Sequence, residues 1–213
     1  MPIFRRFVSM SLLTVALGLL PASAIAQGSA QEFVEQEHGK LLVLMRQSAG
    51  PGRDASISQE LGRMVDYEEL ARRTFGKTCP ATIPRCQNHW DELTAPQKVE
   101  VTSLLRKLVE RNYKKNLKKT LDYEVAFKGS RSIANGDTKI RTEAKSKVKV
   151  REAPVTVDYV VVAAGTGFKV VDIVTEGSSL VKNYYEQFHR MLTTAGQGYP
   201  LVVKRLTDRI AAP

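Results

Sequence analysis

FKVVDIVTEGSSLVKNYYEQFHRML, residues 168–192, decides the fold. Its first third, FKVVDIVT, is rich in β-branched residues and reads as a strand. Glu176-Gly177 breaks the strand sharply. Ser178 or Ser179 then suits the N-cap of a helix, whose Leu180, Tyr184, Phe188 and Met191 recur near a 3.6-residue period. The strand adds to a sheet built by the preceding hairpins, and the helix lies back across that sheet. Such an arrangement closes over a solid core or over a cavity.

Upstream, the period is two. Tyr123, Val125 and Phe127 alternate with Asp122, Glu124 and Ala126, and Asn135-Gly136-Asp137 is a turn signal. Residues 138–150 place Ile140, Thr142, Ala144, Ser146, Val148 and Val150 on one face and Lys139, Arg141, Glu143, Lys145, Lys147 and Lys149 on the other, so one face is wet and the other is covered. Thr142, Ala144 and Ser146 are small, which leaves room beneath the sheet. Val155, Val157, Tyr159 and Val161 form the inner side of a third strand over 154–163, and Gly165-Thr166-Gly167 turns the chain into the fourth. Four strands joined by short turns predict an antiparallel meander.

Before the sheet the chain reads as helical. Residues 30–49 carry Phe33, Val34, Leu41, Leu44 and Met45 on one side, with Ala49-Gly50-Pro51-Gly52 as the stop. Short helices follow over 57–64 and 67–74, the second capped by Asp66 and ended at Gly76. The loop 77–88, with Pro80 and Pro84, has no period; Trp90 opens a short turn. Thr94-Ala95-Pro96-Gln97 is a capping box with an early proline. The helix it opens, to about 120, buries Val101, Leu104, Leu105, Leu108 and Val109 and ends in a strongly basic half with Tyr113, Leu117 and Leu121 as its apolar residues. After Gly196-Gln197-Gly198 a last helix spans about 199–211. The layout is α+β: a helical part over 30–121, a sheet over 122–176 and closing helices over 178–211, in one domain.

The first residues read as an export signal. Arg5 and Arg6 precede the apolar run 7–20, and Ala24-Ile25-Ala26 supplies a small-x-small cleavage site, so the mature chain is expected to begin at Gln27. The run is shorter than the roughly 18 to 20 apolar residues a spanning helix needs. That segment holds two of the 32 Lys and Arg and none of the 22 acids, leaving a mature formal charge of +8. For an exported chain this suits anionic membrane surfaces or acidic partner proteins rather than nucleic acid, although solubility alone would also account for it. Cys79 and Cys86, the full set of two, are spaced to close one small disulfide loop in an oxidising compartment; free thiols are the alternative, and His89 alone beside them gives no metal-binding pattern.

Catalytic signatures are missing. There is no G-x-S-x-G elbow and no P-loop, and Gly165-x-Gly167 is a turn. Asp172 and Glu176 could be paired as acid and base, but their place where strand becomes helix suits capping. His189 reads as an interface side chain. The expectation is a non-enzyme without metal or cofactor.

Asp66-Tyr67, Ala71-Arg72, Phe75-Gly76, Trp90, Leu93-Thr94, Gln97, Tyr113, Val157-Asp158-Tyr159, Val171-Asp172-Ile173 and Glu176-Gly177-Ser178-Ser179-Leu180-Val181 with Asn183-Tyr184 together resemble the MlaC (toluene-tolerance) family over about 30–210. The resemblance implies a twisted four-stranded sheet of nuclear-transport-factor-like type packed with helices around an apolar pocket. It implies a periplasmic, monomeric phospholipid carrier that maintains outer-membrane lipid asymmetry. Its partners would be an outer-membrane lipoprotein–porin complex and an inner-membrane ABC transporter with an MCE-domain component, with bound phospholipid as cargo.

With the faces read above, the pocket is expected to be lined by Leu105, Leu108, Val109 and Tyr113 of the long helix and Tyr123, Val125 and Phe127 of the first strand. Val155, Val157, Tyr159 and Val161 follow from the third strand and Phe168, Val170 and Val174 from the fourth. Ser178, Leu180, Tyr184, Phe188 and Met191 supply the rim and lid. A phosphate is expected at the Ser178-Ser179 helix start. The chain departs from the family pattern in a longer stretch between Gly76 and Trp90 and in Tyr185, where a basic residue is expected. The competing readings are an exported adaptor with a solid helix–sheet interface and an exported hydrolase.

Overall fold

The computed structural model describes residues 29–79, 83 and 86–212; the expected leader, residues 1–26, and Pro80 and Pro84 lie outside them, as do the side chains of 117–119. Helices α1 (Ala30–Met45), α2 (Pro51–Met64), α3 (Tyr67–Thr74) and α4 (Ala95–Leu121) precede the strands β1 (Tyr123–Ser132), β2 (Thr138–Ser146), β3 (Val155–Ala164), β4 (Gly167–Thr175) and β5 (Ser178–Ser179). Helices α5 (Leu180–Thr193) and α6 (Tyr199–Ala211) close the chain.

Local chemistry sets most boundaries. Ser29 and Glu32 cap α1 reciprocally, a capping box that the sequence reading passed over. Asp66 caps α3 by accepting from the Glu69 N–H at 2.9 Å. Thr94 and Gln97 exchange the expected pair of bonds ahead of α4. The helix expected over 57–64 starts earlier: Pro51 sits in its first turn, where its fixed φ favours a helix and its missing N–H costs nothing. Pro51 therefore opens α2, while α1 stops at Met45.

The sheet is antiparallel in the order β1-β2-β3-β4-β5, five strands rather than four. The added strand comes from the Glu176-Gly177 break. Both residues have left-handed φ, 49° and 78°, and two such residues make a tight hairpin turn. That turn folds Ser178 and Ser179 back onto Thr175 and Val174. Glu176 is also tied to β3, its N–H donating to the Thr156 carbonyl at 2.9 Å and its carboxylate accepting from the Thr156 N–H.

Two further differences from the sequence pattern concern alternation. Strand β2 ends at Ser146, because Tyr123, the first residue of β1, stands opposite it and the ladder stops after the next bond, from the Lys147 N–H to the Asp122 carbonyl. Val148 and Val150, expected to face inward, are therefore exposed in the loop that follows. In β4, Asp172 pairs with Val160 but Val170 pairs with Val161, so Val171 is an extra residue. Such a bulge exchanges the faces of everything after it.

The helices cover one face of the sheet. Phe75, Leu41, Ile57, Leu105, Ile140, Val161, Val170, Phe188 and Leu206 form its sealed core. An isolated parallel bridge between Val65 and Val170 and the Asp66 N–H bond to the Val170 carbonyl pin the α2–α3 junction to β4. Among the described residues no helix is long and apolar enough to cross a membrane.

Candidate functional site

Cross-strand pairing fixes which side chains share the helix-facing side. One row is Val125, Ala144 and Val155; the next is Phe127, Thr142, Val157 and Thr175; the next holds Ile140, Tyr159 and Ile173; then Thr138, Val161 and Val170; and Ala163 faces Phe168. Tyr123 begins the series opposite Ser146. The register thus brings together the expected residues of the first and third strands, with Phe168 and Val170. It does not include Val174. The Val171 bulge puts Val174 beside Asp158 on the opposite face, where it packs with Val160 and Val171, and Ile173 takes its place within. Nothing in the unbroken run VVDIV marks the bulge.

This inner face is partly closed and partly open. Leu105, Leu108, Val161, Val170 and Phe188 are buried, whereas Val109, Tyr113, Tyr123, Val125, Phe127, Val155, Val157, Tyr159, Phe168, Leu180, Tyr184 and Met191 are only half-buried. From α1, Phe33 lies 6.2 Å from the Phe168 ring and His38 meets Phe127 edge-on at 6.3 Å; neither was expected. Three polar side chains here find local partners. The Thr142 hydroxyl donates to the Val157 carbonyl, Ser146 Oγ accepts from the Lys149 N–H, and Tyr113 Oη lies 3.7 Å from Met45 Sδ.

Burial favours the neutral form of three groups on this face. Burial pushes the Tyr159 phenol up to about 12 and raises Tyr113 as well, and burial holds His38 below its ordinary value. The opposite face is ionic: Arg73 grips Asp137 through two bonds of 2.6 and 3.1 Å, and Lys139–Asp158 and Lys128–Glu143 bridge the strands. A hollow of about 550 Å³ there is lined by Lys128, Arg131, Lys139 and Arg141 with Asp158 and Glu176.

At the start of α5 the helix N–H groups are already engaged. Asp172 accepts from Val181 N–H at 3.0 Å and from the Ser179 hydroxyl at 2.5 Å, and Ser179 Oγ accepts from Lys182 N–H. Burial holds the Asp172 carboxyl above its usual range, opposed by these bonds. A carboxylate thus occupies the place expected for a phosphate, and Asp172 is a cap rather than half of an acid–base pair. Ser178 instead accepts from Asn183 and borders a hollow of about 390 Å³ with Ile173, Leu180, Tyr184, Gln187 and Arg209. Arg209, which the sequence did not single out, lies over the Tyr184 ring at 5.5 Å and donates to Gln187 at 2.6 Å.

The two departures from the family pattern touch each other. Cys79 and Cys86 are disulfide-bonded with Cα atoms 5.7 Å apart, and just beyond them the Gln87 N–H donates to the buried Tyr185 hydroxyl at 2.7 Å. Gly76 makes this possible: a Cβ there would lie 2.1 Å from the Gln87 carbonyl oxygen and 2.9 Å from the Tyr185 ring. Next along, His89 Nε2 meets His189 Nδ1 at 2.8 Å. The helix read as a lid is therefore held by β4, by the cysteine loop and by His89. Among the described residues no group of three or more His, Cys, Asp or Glu side chains could hold a metal ion.

The phospholipid-binding protein from Ralstonia solanacearum, solved in complex with a phospholipid, matches this fold with a TM-score of 0.66 at 23% identity, over 86% of this chain and 98% of that one. No curated protein matches the chain. The family model described as MlaC protein matches residues 39–208. That span takes in all but the first turns of α1 and the end of α6, and the chain belongs to the MlaC family.

Proposed function

We propose that this protein is a periplasmic phospholipid carrier that binds acyl chains between the inner face of the sheet and helices α1, α4 and α5. The observation that carries the reading is that face itself. Large apolar side chains from Tyr123 to Phe168 stay half-buried, the hydroxyls of Thr142 and Ser146 are locally bonded, and burial favours the neutral forms of Tyr113, Tyr159 and His38. A solid-core adaptor would bury this surface. An aqueous enzyme site would need a polar set among these residues.

The energetics fit a hand-over role. Each buried methylene contributes about 0.8 kcal/mol, so two acyl chains with on the order of 30 methylenes gain well over 20 kcal/mol gross relative to water, reduced by ordering and incomplete burial. Relative to a bilayer the gain vanishes, because the chains leave one oil for another. Loading and release therefore need partner surfaces, here the outer-membrane lipoprotein–porin complex and the inner-membrane MCE-domain ABC transporter. In this reading the sheet is of nuclear-transport-factor-like type, residues 27–213 form one monomeric lipid-binding domain, and Arg209 and Ser178 lie where a headgroup would leave the pocket.

Native mass spectrometry of the purified protein tests the reading. Co-purifying phospholipid, one per chain, is the expected result. A chain that carries none and takes up none from detergent-solubilised lipid would return the protein to the solid-core adaptor.

A further inference from the structure

Residues 147–152, KVKVRE, join β2 to β3 at one end of the sheet. Val148 is 71% exposed and Val150 65% exposed. Lys147, Lys149 and Arg151, interleaved with them, are exposed too. Scattered exposed valines such as Val43 on α1 and Val99 on α4 need no explanation. Two in one short segment, alternating with three cations, do.

The segment has a defined shape. The Lys147 N–H donates to the Asp122 carbonyl at 2.8 Å, the Lys149 N–H to Ser146 Oγ at 2.9 Å, and the Glu152 N–H to the Lys149 carbonyl at 3.0 Å. Its one acid, Glu152, pairs with Lys149 at 2.9 Å with both side chains largely exposed, an arrangement that water and salt weaken. The bond to Asp122 places the segment beside the C-terminal end of α4, where the sequence runs RNYKKNLKKTL, and Lys145 of β2 is exposed alongside.

We propose that residues 147–151 form a docking loop for an anionic lipid surface. Phosphate-bearing headgroups complement the cations, and the boundary between headgroups and acyl chains accepts short apolar side chains standing between them. An acidic protein would account for Lys147, Lys149 and Arg151 but would leave Val148 and Val150 without a role. Docking by this loop turns the adjacent sheet end, with half-buried Tyr123, Val125 and Val155, towards the lipid. The inference does not rest on the carrier reading, because the loop is separate from the inner face.

Co-sedimentation with vesicles tests it, using mixed phosphatidylglycerol–phosphatidylcholine and phosphatidylcholine alone. The protein should bind the mixed vesicles, and added salt should weaken binding. Each cation near an anionic surface strengthens binding about fivefold, so Lys147→Glu with Lys149→Glu should weaken it by at least ~25-fold. Lys204→Glu with Arg205→Glu on α6 makes the same change in net charge and should cost far less. Val148→Ser with Val150→Ser should leave binding weaker and more salt-sensitive. Equal losses in the two charge-matched variants, or no binding to either vesicle, would overturn the proposal; retention on a polyglutamate matrix without vesicle binding would overturn it in favour of an acidic protein. Lipid extraction from each loop variant should find unchanged cargo, which separates failure of this inference from failure of the carrier reading.

Discussion

Val157→Glu tests the inner face most sharply. Val157 is half-buried in the row with Phe127, Thr142 and Thr175, and its neighbours on the face are Val155, Tyr159 and Ile173. None of these can form an ion pair with a carboxylate. In the empty protein the new side chain can keep its charge in water. Under an acyl chain it must give it up, since an isolated buried carboxylate costs far more than protonation. An ordinary Glu titrates at about 4.3, and each unit is 1.36 kcal/mol, so protonation at pH 7 costs about 3.7 kcal/mol, ~500-fold in affinity. At pH 5 the cost falls to about 1 kcal/mol, ~5-fold. Uptake of a fluorescent phospholipid by purified Val157→Glu should therefore recover about tenfold per unit of acidification, while the wild type and Val157→Gln show no such slope. Wild-type uptake at pH 7 by a folded Val157→Glu protein would refute the reasoning, and so would a loss that does not change with pH.

Other expectations concern the scaffold. Gly76→Ala combines a left-handed residue with displacement of Gln87, and should lower stability by about 2–3 kcal/mol, roughly 5–10 °C in Tm by calorimetry. Tyr185→Phe removes the partner of the N–H of Gln87, an exposed residue, and should cost about 0.5–1.5 kcal/mol in urea unfolding, without lowering lipid uptake. Burial lowers the pKa of His38, and of His89 against the pull of Glu92, from the ordinary 6.5. The unfolded chain then protonates first as pH falls, so stability should decline below about pH 6.5. Tm should be lower at pH 5.5 than at 7.5, and His89→Gln should shrink the difference.

The helices and inner rows were legible because their signals are local and redundant. Asp66, Thr94 and Gln97 each mark a boundary through one side chain's hydrogen bond, and the inner residues of β3 and of β1 from Tyr123 to Phe127 recur every second position. What escaped depended on partners far along the chain. Lys147-Val148-Lys149-Val150 continues the two-residue period of β2, but a strand ends where its neighbour does, and β1 begins at Tyr123, so the ladder stops once the Lys147 N–H has reached the Asp122 carbonyl. The Val171 bulge is fixed by pairing with β3, so Ile173 and Val174 exchanged faces with no change in composition. Strand β5 exists only because Glu176 accepts a left-handed conformation. Arg209 reached the rim through the packing of α6 on α5.

Helix α5 carries one more consequence. Its anchored residues are Val181, Tyr185 and His189, four apart on a single stripe, while Leu180 and Tyr184 lie on the neighbouring stripe, about 100° round the helix. Covalent closure of the neighbouring loop holds one of those anchors in register; for a loop this short it is worth about 2.5 kcal/mol to the folded state. On the carrier reading, an acyl chain arriving at Leu180 and Tyr184 would meet a wall whose conformational freedom was surrendered during folding. Preorganisation of this kind removes an ordering cost from association. If α5 is one wall of a lipid pocket as proposed, reduction of Cys79 and Cys86 should loosen that wall, so lipid retention should fall along with stability in a reducing medium.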